Sequence, residues 1–550
     1  MHFKRRGIMK KNIKKLISLG LAVSMAAALS ACGSSSGPSP TTSETTAAAG
    51  SDAAAENTGA KILRVAAVDP QVAYDMQQYT YSLIMKVTDN VVESLLTTLD
   101  GGKVVPTLLA KEPELSDDML TYSFELTGGV KFHNGETLKS SDVKYSLERV
   151  VKKQSMGSLL EKVEGYEALA DGSANELTGI KVIDDTHFTI TLSEVYTPFV
   201  SVLSTPYCGI YPAEACEAAG DNWGKTELIG TGPFKFDSYT PGVGVEISRF
   251  DGYYGNAPKL DGVSYKFIED ANTQVLEYQK GNIDYVDVET NMYPVYQADP
   301  KLKDQMHMFQ PIGGYYMTFN VKSISDPKIR QAISMSINRQ AICESIFHGT
   351  AKPASSFIPA GIIGHDDSQE EFAYDPEGAK ALLAEAGYAN GYDLRLTVNT
   401  KYATSIPIAT AFQEQAKAAG INVTIEQVDS AAWSDMKKSG GVDAGVGNWY
   451  VDYNDPDSML YPVSDSRTDR SSSFWHNEEF KKLMEAGVQT SDEAERQEIY
   501  VKAEHILSRE DYAIAPIYNE SKCYLLNPKI TGLVMDSTFR NFYANADIQQ

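Results

Sequence analysis

The sequence predicts a mixed α/β protein with more than one hydrophobic core. Three observations carry that expectation. Apolar residues alternate with a period of two in short runs between about residue 120 and residue 425, capped helix-length segments lie among them, and no unit repeats. The runs are too scattered for one sheet. Length agrees, since 550 residues at about 100 to 200 per domain give roughly two to four domains. A composition with 42% hydrophobic and 22% charged residues and five cysteines excludes a disordered chain and a disulfide scaffold. Several cores leave room for a binding cleft between them.

The first element is an export signal. Lys4, Arg5, Arg6, Lys10, Lys11, Lys14 and Lys15 precede an apolar stretch from Leu16 to Leu29, too short for a membrane-spanning helix but right for a signal-peptide core. It ends in Leu29, Ser30, Ala31, Cys32, which resembles the lipobox of bacterial lipoproteins. That resemblance implies removal of residues 1–31 and lipid on Cys32; a plain secretory signal cut near Ala31 is the alternative. No later run reaches 18 apolar residues, so membrane attachment would rest on that lipid, and several acyl chains hold far better than one. Residues 33–60 are small and polar and read as a flexible tether with a mean reach of about 30 Å.

Beyond residue 31 the chain carries 42 basic against 73 acidic side chains, a net charge of −31. So acidic a surface repels phosphate backbones, which sets nucleic-acid binding aside.

Strands are expected at Tyr122, Phe124, Leu126; Phe188, Ile190, Leu192; Val263, Tyr265, Phe267; Leu394, Leu396, Val398; and Ile421, Val423, Ile425. FHNGE, Phe132 to Glu136, reads as a turn leading to a helix that begins near Ser141, and GTGPF, Gly230 to Phe234, as a tight turn before a strand. Asp326 with Pro327 and Asp375 with Pro376 each supply an N-cap and a first-turn proline, and Gly387 stops the second of these helices. A third runs from about Asp492 to Leu507, with Ile499, Ala503, Ile506 and Leu507 inward.

These segments carry a resemblance. LTYSFELTGGVKFHNGETLKSSDVKYSLERV (Leu120 to Val150), GTGPFKF (Gly230 to Phe236), GNID (Gly281 to Asp284), DPKIRQAISMSINR (Asp326 to Arg339) and YDPEGAKALLAEAGY (Tyr374 to Tyr388) resemble, in order, the extracellular solute-binding proteins of family 5, the peptide and nickel receptors of ABC importers. The resemblance covers nearly all of 62–550. It implies an α/β fold of two periplasmic-binding-type lobes (type II, the large cluster with an extra subdomain) around a hinge-bending cleft. Residues 62–98, 228–316 and 516–550 would form lobe I, 99–227 the extra subdomain and 317–515 lobe II, with chain crossings near Tyr315 and Pro516. Residues 32–61 would be the lipid-anchored linker.

The segment weighed for ligand contact is Asn448 to Pro456, NWYVDYNDP, with three aromatics and two carboxylates in nine residues. Peptide-binding members carry a WxxDxxxP pattern here whose aspartate meets the ligand's α-ammonium, and Trp449, Asp452 and Pro456 match it. The residue type suits the chemistry, because a buried ammonium needs a charged partner and hydrogen bonds in place of water. Trp449, Tyr450 and Tyr453 would supply apolar, cation-attracting faces, with Asn454 beside them. Read without the family, Asp452 is better explained as an Asx turn or a cap. Tyr74 and Tyr79, in the Asp69–Tyr81 stretch that borders the family's ligand, and Phe357 are further candidates, each also readable as packing.

Apparent catalytic motifs do not hold. GSSSG lies in the tether instead of a strand-turn-helix elbow, and the SxxK pairs Ser141/Lys144, Ser325/Lys328 and Ser434/Lys437 lack the companion SDN and KTG. GDNWGKT has three residues, not four, between its glycines, DYNDPD lacks the glycine and terminal glutamate of a calcium loop, and no HExxH occurs. Cys208, Cys216, Cys343 and Cys523 form no CxxC; they read as buried thiols, with disulfide pairing left open. The expectation is therefore a monomeric, cofactor-free, lipid-anchored receptor on the outer face of the bacterial cytoplasmic membrane. It would capture short peptides for an ABC permease whose ATPase is a separate chain. Nickel complexes, haem or oligosaccharide are the alternative ligands, and a secreted peptide or cell-wall hydrolase is the alternative class.

Overall fold

The structure is a computed structural model that describes residues 59–99, 102–464 and 473–549. The signal segment, Cys32 and almost all of the tether lie outside the described residues. From Gly59 onwards the chain is one compact unit built around two large sheets and a small one.

The first large sheet has seven strands, in the order Met306–Phe309, Lys522–Leu526, Tyr285–Val288, Ile62–Ala67, Gly262–Phe267, Gly244–Arg249, Phe234–Thr240. Three distant stretches of sequence thus meet in it. Ile62–Ala67 lies parallel to Gly262–Phe267, with Val65 opposite Tyr265. Its two faces bury separate cores, one with Leu63, Val65, Val263 and Tyr265, the other with Ala66, Val286, Val288 and Leu525. The period of two in each strand feeds both.

The second large sheet has six strands, in the order Ala351–Pro353, Ile514–Glu520, Gly313–Phe319, Ala444–Tyr450, Tyr392–Asn399, Ile421–Val428. Gly313–Phe319 is buried at every residue, as a strand covered on both faces should be. Tyr315, Met317 and Phe319 face one core and Tyr316 the other. A four-stranded sheet of Glu114–Leu115, Thr121–Glu125, His187–Thr191 and Ile180–Val182 forms a third centre, with Phe124 stacked on Phe188 at 4.8 Å between ring centroids. All five strands expected from alternation are present, distributed over three sheets.

The helix starts follow their caps. The Asp326 carboxylate accepts the Lys328 N–H at 2.9 Å, and that of Asp375 the Gly378 N–H at 2.8 Å. Asp492 caps Glu493–His505 in the same way, and Ala503, Ile506 and Leu507 are buried as expected, but Ile499 is only half-buried while Arg496, Tyr500 and Glu504 are buried as well. Arg496 is buried in an ion pair with Asp455 at 2.7 Å. The four described cysteines are buried free thiols. At the FHNGE turn Gly135 takes a φ of +90°, and the helix after it starts at Ser140.

The chain passes between the large sheets twice. It leaves the seven-stranded sheet after Phe309 and enters the six-stranded one at Gly313, then returns from Glu520 to Lys522 through Ser521 alone. The crossings therefore lie at 310–312 and 521, not near Tyr315 and Pro516, both of which sit within strands of the six-stranded sheet. The carboxy-terminal stretch packs back on the first body, where the Asn90 amide donates to the Asn541 carbonyl at 2.7 Å.

Candidate ligand-binding segment at the sheet crossing

Trp449 and Tyr450 end the strand Ala444–Tyr450, paired with Gly314 and Gly313 at the start of the strand that has just crossed. A Cβ on Gly313 would lie 2.3 Å from the Trp449 carbonyl oxygen and 2.5 Å from the Tyr450 ring, so only glycine lets the strands approach here. Val451 then donates its N–H to the Ile312 carbonyl at 3.1 Å. The segment Asp452–Asp455 is thereby launched from beside the crossing.

Local bonds shape the loop beyond Val451. The Asp452 N–H donates to Ser458 Oγ at 2.9 Å, and the Trp449 indole N–H to the Ser458 carbonyl at 2.7 Å, so one serine closes the loop from both ends. Asp452 itself is half-buried. The Tyr450 hydroxyl donates to Glu520 Oε2, and its ring meets Phe539 edge-on at 5.0 Å. Burial, reinforced by the Glu520 carboxylate, raises the Tyr450 phenol well above its ordinary range.

Two further carboxylates of the segment are buried. Asp455 pairs with Arg496 at 2.7 Å, and burial, only partly offset by that guanidinium, pushes it up to about 6. Asp457 accepts the Tyr453 hydroxyl at 2.8 Å and the Tyr196 hydroxyl at 2.7 Å, and burial raises it also. The Asn454 amide donates to the Gly102 carbonyl at 3.0 Å. Gly102 has a φ of +85°, and a Cβ there would meet that amide nitrogen at 1.9 Å.

Of the residues singled out in the sequence, Trp449, Tyr450, Asp452, Tyr453 and Asn454 come together here. Tyr74 and Tyr79 do not join them, and Phe357 meets them only through the core cluster against which Trp449 packs. Tyr74 is fully buried in the core of the first body against Phe236 and Tyr239, and Phe357 lies in the core under the six-stranded sheet, edge-on to Tyr316 at 5.2 Å. Tyr79 is half-buried at the margin of the first core. Sequence reasoning did not find Tyr196, Ser458, Arg496, Glu520 or Phe539. Ser458 alone left a signal, as a hydroxyl in reach of a turn; the others are brought in by topology. Among the described residues no group of three or more His, Cys, Asp or Glu side chains could hold a metal ion.

The family description that reads bacterial extracellular solute-binding proteins, family 5, matches residues 103–471. The chain belongs to that family. This family-5 protein is 28% identical over 469 residues to the glutathione-binding protein GsiB of Escherichia coli O1:K1, with 82% of this chain and 88% of the relative covered. It is 27% identical to the heme-binding protein A of Haemophilus influenzae, over 79% of this chain and 82% of that one. Among solved structures it superimposes on the periplasmic binding protein DppA of Helicobacter pylori in complex with the peptide STSA, with a TM-score of 0.72, 22% identity and coverage of 89% and 98%. The fold is the two-lobed α/β architecture of the periplasmic binding proteins, with the large sheets as its two centres.

Proposed function

We propose that this family-5 protein is the extracytoplasmic receptor of an ABC importer, binding short peptides between its lobes and releasing them to a membrane permease served by a separate ATPase. The observation that carries the reading is the segment Trp449 to Asp455. It emerges beside one of two chain crossings, pairs aromatic faces with a half-buried carboxylate, and matches the family's pattern at Trp449, Asp452 and Pro456. Asp452 receives the peptide's α-ammonium, Trp449 and Tyr450 flank it, and Tyr79 contacts the ligand from the first lobe. Tyr74 and Phe357 support these walls from within the cores.

The lobes follow the expected division with its boundaries moved to the crossings: 62–98, 228–312 and 521–550 form lobe I, 99–227 the extra subdomain and 313–520 lobe II, with a hinge at the crossings. Closure about that hinge excludes water and strengthens the ammonium–carboxylate pair, and no covalent step is involved. Lipid on Cys32 and the tether hold the monomer at the outer face of the cytoplasmic membrane. The similarity to a heme-binding protein supports a second reading, in which the same cleft takes haem or another non-peptide ligand.

The test uses residues 61–550 in calorimetry and thermal shift against peptides of about two to six residues, free and N-acetylated, after unfolding and refolding to strip carried-over ligand. Stoichiometric binding that acetylation weakens and Asp452→Ala removes is expected. No response to either peptide set would sink the peptide reading and turn attention to haem, nickel complexes and oligosaccharides.

A further inference from the structure

The small sheet and the six-stranded sheet belong to stretches of chain that no short connection joins, yet they touch at one polar cluster. Tyr196, which packs in the small-sheet core, sends its hydroxyl to Asp457 Oδ2 at 2.7 Å, and the Tyr453 hydroxyl reaches the same oxygen at 2.8 Å. The two hydroxyls lie 2.8 Å apart. Next to them Thr197 donates its N–H to the Val488 carbonyl at 2.7 Å, and its hydroxyl reaches the Val488 and Thr490 carbonyls at 3.1 and 3.2 Å. Asn454 bonded to Gly102 completes the contact. Tyr196 and Asp457 are 8% and 9% exposed, so water is largely absent as a competitor for these bonds.

We infer that Tyr196 is a positioning residue for ligand capture, acting from the small-sheet body as a clasp on the loop that carries Asp452. Asp457 and Ser458 are adjacent, and Ser458 Oγ holds the Asp452 N–H while its carbonyl holds the Trp449 indole. Fixing Asp457 from across the interface therefore fixes the point about which Asp452 is bonded. The Asp455–Arg496 pair anchors the same turn from within its own lobe, and the loop is held from two sides. Tyr453 and Asn454, aromatic and amide neighbours of Asp452, are engaged in this clasp rather than directed at a ligand. The significance of the clasp rests on the reading of Asp452 above, but its existence is tested without ligand, so the two fail separately.

The experiment is amide hydrogen exchange by mass spectrometry on the ligand-free full chain, comparing wild type with Tyr196→Phe and Tyr453→Phe. Exchange is expected to rise several-fold in peptides covering 451–458 and 486–490 in Tyr196→Phe, while the strand Gly313–Phe319 keeps its protection. A rise limited to the peptide containing residue 196, or no change at 451–458, would overturn the clasp. Should Tyr196→Phe deprotect 313–319 as well, Thr197→Val, which removes only a hydroxyl from the same interface, is read by the same criterion: a rise at 451–458 supports the coupling and its absence refutes it.

Discussion

The segment Gly230–Phe234 is held between a buried carboxylate and a half-buried imidazole whose titrations oppose each other. Glu93 accepts the Thr231 hydroxyl at 2.8 Å and the hydroxyls of Tyr253 and Tyr254 at 2.8 and 3.1 Å, and burial, partly offset by these donors, pushes it up to about 7. On the other side His133 Nδ1 accepts the Gly230 N–H at 3.2 Å, which leaves Nε2 to donate to the Gly232 carbonyl at 2.9 Å. A second proton would face the Gly230 N–H, and burial in any case lowers the imidazole to about 4. The folded Glu93 binds its proton more tightly than the unfolded one, so its contribution to stability is full below about 4.5 and is lost as pH rises to about 7. The folded His133 resists protonation, so its contribution is full above about 6.5 and is lost as pH falls to about 4. Each shift is worth about 3 kcal/mol at ~1.4 kcal/mol per unit, and they nearly cancel across the overlap. Glu93→Gln should therefore lose stability on acidification from pH 7 to 4.5, by about 3 kcal/mol relative to wild type, whereas His133→Gln should gain about as much. Urea unfolding followed by tryptophan fluorescence at four pH values between 4.5 and 7.5 reads both. Stability curves for the three proteins that run parallel in pH would refute the assignment of either titration.

Arg496→Ala leaves the Asp455 carboxylate buried and unpaired, and a loss of about 3–5 kcal/mol in chemical denaturation is expected, with partial recovery in Asp455→Asn/Arg496→Ala. Met317, fully buried at the centre of the second sheet, should cost about 2–5 kcal/mol when cut to alanine, a loss that a Leu replacement largely avoids. Burial pushes the Cys208, Cys343 and Cys523 thiols up to about 12, so a thiol reagent at pH 8 should leave residues 61–550 unmodified when native and modify four cysteines in denaturant. Reaction of a thiol in the native state would show a local opening that the packing does not provide for.

Much of this fold is legible in the sequence because its signals are local. An aspartate followed by proline starts a helix by supplying an acceptor and a preset φ, as Asp326 and Asp375 do here, whatever the rest of the chain is doing. Alternation marks a strand but not its partners, so the five runs could be read while the three sheets that hold them could not. The helix after Asp492 shows where pattern reading goes astray. Counting only apolar residues finds the buried Ala503, Ile506 and Leu507 but also selects the half-buried Ile499, and it misses Arg496 and Glu504, which are buried because Asp455 and the Phe357 and Ser508 donors satisfy them; no hydropathy scale contains that pairing. The same holds at the stretch Trp449 to Asp455. Its composition stands out in sequence, yet Tyr196 lies more than two hundred residues away in an unremarkable stretch and enters only through the contact of two bodies.

At the second crossing a single residue, Ser521, separates the two large sheets. Glu520, the last residue on the six-stranded side, is 2% exposed; its Oε2 accepts the Tyr450 hydroxyl and its Oε1 the Lys522 ammonium, 2.6 Å away on the seven-stranded side. The carboxylate thus ties the strand end at Tyr450 to both large sheets at this crossing. Lys522 is 39% exposed along its side chain, so solvent screens its half of the pair, and Lys522→Met is expected to cost about 1–2 kcal/mol rather than the several that a fully buried pair would. Glu520→Gln keeps an acceptor for Tyr450 and gives up the charge. If the pair acts as a unit, the double variant should be little worse than the single one, with a coupling of about 1 kcal/mol in a thermal-unfolding cycle. Strict additivity would show instead that the Glu520 carboxylate is held by Tyr450 and not by Lys522.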